Sequence, residues 1–146
     1  MKELVFLCVN DFQDECEAEI MLKVKDIPHG TERIKAITKA YMAYFVQYPS
    51  VFNLFFVERL GDIGQKQPTA SRIFTFLDRM CADDWNYCVQ NQKSTENAVA
   101  IARQQLNYVS CGMLLFYMNR MQPESYVEFA CTIDLQLNTI LKQAEG

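Results

Sequence analysis

The residues of this chain best equipped for chemistry are a single histidine, His29, six cysteines and the adjacent carboxylates Asp83 and Asp84. His29 stands in Asp26-Ile27-Pro28-His29-Gly30, a turn-forming run. No helix-forming stretch therefore carries a Glu-x-x-His pair of the kind that holds metals inside helical bundles. The cysteines, Cys8, Cys16, Cys81, Cys88, Cys111 and Cys131, contain no CxxC pair, whereas a zinc site needs several Cys or His at fixed short spacing. A Cys–His nucleophile pair could form only through His29, which reads as a surface loop residue. Neighbouring acids on a helix point about 100° apart, so Asp83 and Asp84 do not share a site. Phosphate-cradling loops of the GxGxxG or GxxxxGK type are missing from the sequence. The expectation is a protein without catalytic residues, metal or cofactor.

Charge narrows the partners. The net charge of −4 is carried entirely by residues 1–30, and no basic patch with interleaved aromatics occurs. That excludes, for this stretch of chain, the usual electrostatic footprint for nucleic acid. The opening Met1-Lys2-Glu3-Leu4 is soon interrupted by acids, and the apolar run from Met113 to Met118 is too short to span a bilayer. With no leader and no regular cysteine framework, reduced thiols in a cytoplasmic protein without a membrane segment are expected. Half the residues are apolar and 12% aromatic, enough to fill the core of one domain spanning 1–146. Five Gly and four Pro are too few for a many-turned β fold.

The elements that must position these groups are helices. Residues 2–25 repeat Val5, Val9, Phe12, Cys16, Ile20 and Val24 in steps of three and four, with carboxylates opposite. Pro28 and Gly30 break that helix. Thr31 is placed to cap the next, with a stripe of Ile34, Ile37, Tyr41, Tyr44, Phe45 and Tyr48. Lys35 and Lys39 fall on its wet side. Pro49 suits the first turn of a helix to about Arg59, Gly61 and Gly64 bracket an irregular stretch, and Pro68 starts a helix reaching residue 91. Ser94 is placed to cap a segment to Met121, and Pro123 to open the last. No strand-like alternation or internal repeat occurs. The architecture expected is all-α, six helices with short connections.

Segment 94–121 differs from the rest. Val99, Ala102, Leu106, Val109, Met113 and Phe116 form one stripe, and Ile101, Tyr108, Cys111, Gly112, Leu115 and Met118 a second. A helix that is apolar around most of its girth must be covered on two sides. One stripe is expected to face the domain core and the other a second subunit. The last helix repeats the pattern weakly, with Val127, Cys131 and Leu135 off its main stripe. Two such helices from each of two copies make a four-helix interface about a twofold axis. The residues expected there are Val109, Gly112, Met113, Phe116, Val127, Cys131 and Leu135.

Aromatic density is the other signal. Tyr41, Tyr44, Phe45, Tyr48, Phe52, Phe55 and Phe56 crowd into 16 residues. Singly, each fills a core; together they leave room for a cavity among flat rings. The candidate wall comprises Phe12, Tyr41, Phe45, Phe52, Phe55, Phe56, Phe74, Leu77, Met80, Cys81, Trp85, Tyr108 and Cys111. Asn107, Ser110 and Arg103 are the polar groups nearest to it.

The run from Ala40 to Phe56, AYMAYFVQYPSVFNLFF, resembles the C-terminal domain of TetR-family bacterial transcriptional regulators, where an aromatic-rich helix end meets a proline and a short helix with spaced Phe or Leu. Lys2-Glu3-Leu4 is similar to the segment that follows the family's DNA-binding helices, and the order of helix lengths agrees over nearly the whole chain. The resemblance implies a homodimer joined by the last two helices. It also implies a pocket for a small apolar or aromatic effector, and residues 2–25 as a lever to DNA-binding heads. The family's N-terminal helix-turn-helix has no counterpart in residues 1–146, so DNA would be reached only through a domain outside this chain. The alternative expectation is a stand-alone helical protein-interaction module.

Overall fold

The structure, a computed structural model, describes residues 2–54, 72–121 and 125–145. Among these no strand occurs. The helices are α1 (Lys2–Val24), α2 (Thr31–Gln47), α3 (Pro49–Phe52), α4 (Phe76–Gln90), α5 (Glu96–Met118) and α6 (Tyr126–Ala144). The chain is all-α, as its periodicities require. The expected extension of α3 to Arg59, the irregular stretch at Gly61 and Gly64, and the helix starts at Pro68 and Pro123 lie outside the described residues.

Helix ends follow local hydrogen bonding more finely than the sequence suggested. Thr31 does not cap α2: Gly30 occupies the cap position, and the Thr31 hydroxyl donates instead to Glu145 Oε1 at 2.6 Å, tying the start of α2 to the end of α6. The cap of α5 is Thr95 rather than Ser94, its hydroxyl accepting from the Ala98 N–H at 3.1 Å. Ser125 caps α6 in the same way through Glu128. A hydroxyl one residue nearer the helix reaches the orphan N–H groups of the first turn, so it wins the position. Pro49 does stand in the first turn of α3.

α2 is the hub, packing against α1, α3, α4, α5 and α6. Its buried line is Ile34, Ile37, Thr38, Tyr41, Met42, Tyr44 and Phe45. Around it close Val9, Cys16, Ile20 and Val24 of α1, Leu77, Cys81 and Trp85 of α4, Leu106 and Leu114 of α5, and Phe129, Ile133, Leu137 and Ile140 of α6. Aromatic rings interlock edge to face, with Phe45 at 5.0 Å from Tyr41, 5.6 Å from Tyr44 and 6.1 Å from Phe52, the geometry that ring quadrupoles favour.

Polar ties set the angles between helices. Asp84, buried on α4, reaches across to the α1–α2 turn: its Oδ1 lies 2.9 Å from His29 Nδ1 and accepts from the Gly30 N–H at 3.2 Å, while Oδ2 lies 3.6 Å from Arg33 Nε. Gly30 is required there by its backbone. At φ 133° side-chain-bearing residues are strained, although a Cβ would meet only ordinary contacts with Tyr87 at 3.9 Å. Lys35 and Lys39, read as a wet face, both pair with Asp134 of α6, at 3.8 and 2.8 Å. The Lys39 contact holds that carboxyl below its ordinary range.

Removing a buried carboxylate strands the donors built around it. Asp84→Ala is expected to cost about 2–4 kcal/mol in denaturant unfolding, whereas His29→Ala, whose ring is half exposed, costs about 1 kcal/mol or less. Equal losses from the two substitutions would contradict the assignment of Asp84 as the anchor.

Candidate functional site

The site is built on α5, and its first determinant is which way that helix turns. The fully buried line runs Val99, Ala102, Leu106, Ser110 and Leu114. It departs from the expected stripe after Leu106. Successive steps of four carry a line about 40° around the axis each time, so Ser110 and Leu114 replace Val109, Met113 and Phe116 at the centre. Val109 and Met113 are half-buried against the core, and Phe116 is exposed. Of the second stripe, Cys111, Leu115 and Met118 pack against the core edge, while Ile101 and Tyr108 face solvent.

Between α2, the start of α4 and α5 lies a cavity of about 480 Å³. The described residues that line it are Tyr41, Phe74, Leu77, Asn107, Tyr108, Ser110, Cys111 and Gly112. Five of the aromatic and apolar candidates thus meet: Tyr41, Phe74, Leu77, Tyr108 and Cys111. Phe45, Phe52, Met80, Cys81 and Trp85 sit instead in the closed core. Phe12 is half-buried at its edge. Phe55 and Phe56 lie outside the described residues.

The helix breaks at Thr75, between the two α4-side wall residues. Phe74, in the helical turn before that break, is exposed, and Leu77, in the first turn of α4, is buried. The volume is in the range of pockets that take small organic molecules, and the exposed Phe74 and Tyr108 leave the cavity open to solvent on that side.

The polar groups divide. Asn107 and Ser110 line the cavity. Ser110 is 2% exposed, and its hydroxyl has no hydrogen-bond partner. Arg103 is not available to a guest: its Nε and Nη2 donate to the two oxygens of Asp78 at 2.8 and 2.6 Å, joining α5 to α4. That pairing raises the pKa of the guanidinium, so its charge is committed. Burial raises the Tyr41 phenol and the Cys111 thiol, keeping both neutral in the wall. Cys16, Cys81 and Cys88 are buried thiols whose pKa values burial also raises, Cys16 to about 12. A protonated, enclosed thiol is a poor nucleophile. Among the described residues no three His, Cys, Asp or Glu cluster as metal ligands.

Two sets of polar contacts that the sequence reading missed tie the helices around the site. Gln13, buried on α1, donates to the Arg72 carbonyl at 3.1 Å, and Arg79 Nη2 donates both to Gln13 Oε1 at 3.2 Å and to that carbonyl at 2.8 Å. The two arginines flank Phe74 and Leu77, so the segment carrying two wall residues is tied to α1. A buried Gln within an apolar stripe was the available signal. His29 and Asp84 are 55 positions apart, and no local pattern reports their pairing.

The other face of α5 and α6 is open in the single chain. On α6, Val127 is 72% and Leu135 68% exposed, with Cys131 exposed between them in one line at i, i+4 and i+8. On α5, Phe116, Ile101 and Tyr108 are also exposed, and a Cβ added at Gly112 would meet nothing within 4 Å. Scattered exposed apolar residues are ordinary; a continuous line on one helix is not. No helix among the described residues is long and apolar enough to cross a membrane.

A hydroxyl without a partner contributes no stability, so Ser110→Ala is expected to leave the unfolding midpoint unchanged or raised, while Leu77→Ala costs about 2–4 kcal/mol. A loss above about 1 kcal/mol from Ser110→Ala would mean that the hydroxyl is bonded after all. No family model, no curated protein and no solved structure matches this chain.

Proposed function

We propose that this chain is the effector-sensing and dimerisation domain of a TetR-like bacterial transcriptional regulator, in which a small apolar or aromatic molecule controls DNA binding by an N-terminal domain outside the chain. The observation that carries the reading is the double use of α5. The helix that walls an apolar cavity through Tyr108, Cys111 and Gly112 also leaves Ile101 and Phe116 exposed, as α6 leaves Val127 and Leu135. A ligand and a second copy would therefore act on the same element.

The coupling follows from the ties on α1. A guest between α2, α4 and α5 presses on Phe74 and Leu77, and Arg72 and Arg79 hold the same segment to Gln13. The ligand shifts the position of α1 by as much as its affinity differs between the two helix arrangements. α1, as the lever, passes that shift to the DNA-binding heads of a cytoplasmic homodimer.

The open line on α6 also favours a second reading, a stand-alone helical module that captures a different protein. Self-association separates the two. Sedimentation equilibrium is expected to give a dimer near twice 17.0 kDa, and Leu135→Glu, placed on a side chain that the single chain does not bury, is expected to give a folded monomer. A wild-type monomer throughout the micromolar range would remove the dimeric sensor and favour the capture module.

A further inference from the structure

The cavity is more selective than its apolar lining alone suggests. No Asp, Glu, Lys, Arg or His stands among its described lining residues, and Arg103, one turn before Asn107 on α5, is paired with Asp78. Two of its ionisable wall groups, the Tyr41 phenol and the Cys111 thiol, are held protonated by burial. An ionised guest would give up hydration on the closed side, against Tyr41, Leu77 and Ser110, and meet no counter-charge among the described lining residues. A neutral guest gives up far less.

Ser110 adds a second, independent observation. Its hydroxyl is closed to water and unpartnered on a helix face that lines the cavity. In a helix interior a serine hydroxyl is ordinarily satisfied by the carbonyl one turn back. Here Thr38, Thr132 and Thr139 all make that bond, donating to Ile34, Glu128 and Leu135, and Ser110 does not. A buried hydroxyl left over in this way is a donor and an acceptor in reserve for a guest in the cavity that Ser110 lines. Asn107, one turn earlier on α5 and also in the lining, can supply a second donor or acceptor beside it.

We propose that the cavity takes a neutral aromatic molecule bearing one hydrogen-bonding oxygen, a phenol or aryl ketone, received by Ser110, and that it rejects carboxylates and phosphates of the same shape. This rests on the effector-binding reading above and specifies its ligand class.

Three probes of one ring system test it on the full chain: 2-naphthol, naphthalene and 2-naphthoate, titrated calorimetrically or by fluorescence. The expected order is 2-naphthol tightest, ahead of 2-naphthoate by about tenfold or more, with naphthalene between them. Ser110→Ala, which keeps the fold, is expected to bring 2-naphthol to within about twofold of naphthalene. Binding of 2-naphthoate as tight as that of 2-naphthol, or a preference for 2-naphthol that survives Ser110→Ala, would overturn the inference while leaving an effector cavity in place. Failure of all three probes to bind would overturn the effector reading itself and this inference with it.

Discussion

A helix with apolar residues around most of its circumference imposes one constraint on everything beside it: two different surfaces must cover it. In this chain α5 is covered on one side only, and Tyr108, exposed at the cavity's outer edge, belongs to both the cavity and the open face. Val99, Ala102, Leu106 and Leu114 are buried against α2 and its neighbours. Tyr108, Cys111 and Gly112 border a cavity. Ile101 and Phe116 are left to solvent. Fully burying a side chain of this size is worth about 1.5–3 kcal/mol, so an uncovered line of them represents a standing drive toward association. Both the cavity and the open flank are consequences of one over-apolar sequence. That is why sensing and dimerisation belong together in the proposed function.

Polar contacts then decide where the cavity walls stand. α4 is tied to its surroundings at three levels. Near its start Arg79 engages Gln13 of α1; in its first turn Asp78 takes the fork of Arg103 on α5; two turns on, Asp84 anchors the α1–α2 turn. The apolar contacts between these helices are non-directional and would tolerate sliding. Charge-assisted and bidentate bonds do not. Leu77 directly precedes the first two ties, Asp78 and Arg79, so its position at the cavity is set by geometry that packing alone could not supply. The same arrangement gives α1 a rigid connection to the wall, the physical requirement for a lever.

The helical architecture was legible because period-3.6 patterning survives any detail of packing: Val9, Cys16, Ile20 and Val24 of α1 and Ile34, Ile37, Tyr41, Tyr44 and Phe45 of α2 are buried as their stripes require, while Tyr48 is exposed. What did not survive was the phase of α5. Either of two stripes satisfied the apolar count, and the chain buried a line that takes in Ser110, a polar residue that no hydrophobicity argument selects. The wall was legible in part. Tyr41, Phe74, Leu77, Tyr108 and Cys111 line the cavity, but Phe45 and Phe52 were drawn into the core by edge-to-face contacts with Tyr41, Tyr44 and each other, and Trp85 is fully buried there as well. Arg103, Lys35 and Lys39 read as free charges because each partner, Asp78 or Asp134, lies on another helix. Thr31 read as a cap because its bond to Glu145 spans 114 positions. Local signals report local structure, and the charge pairings and the lost cap come from long-range contacts.

Whether the open line on α6 meets a second copy is reported most directly by Cys131, which sits between Val127 and Leu135 and is exposed in the single chain, as is Cys8 on α1. Alkylation of the native protein with a small neutral maleimide, read by peptide mass mapping across a dilution series, compares the two thiols inside one molecule. The account predicts that Cys131 is protected relative to Cys8 at high concentration and gains reactivity on dilution or in Leu135→Glu. Equal modification of both thiols at every concentration would contradict it.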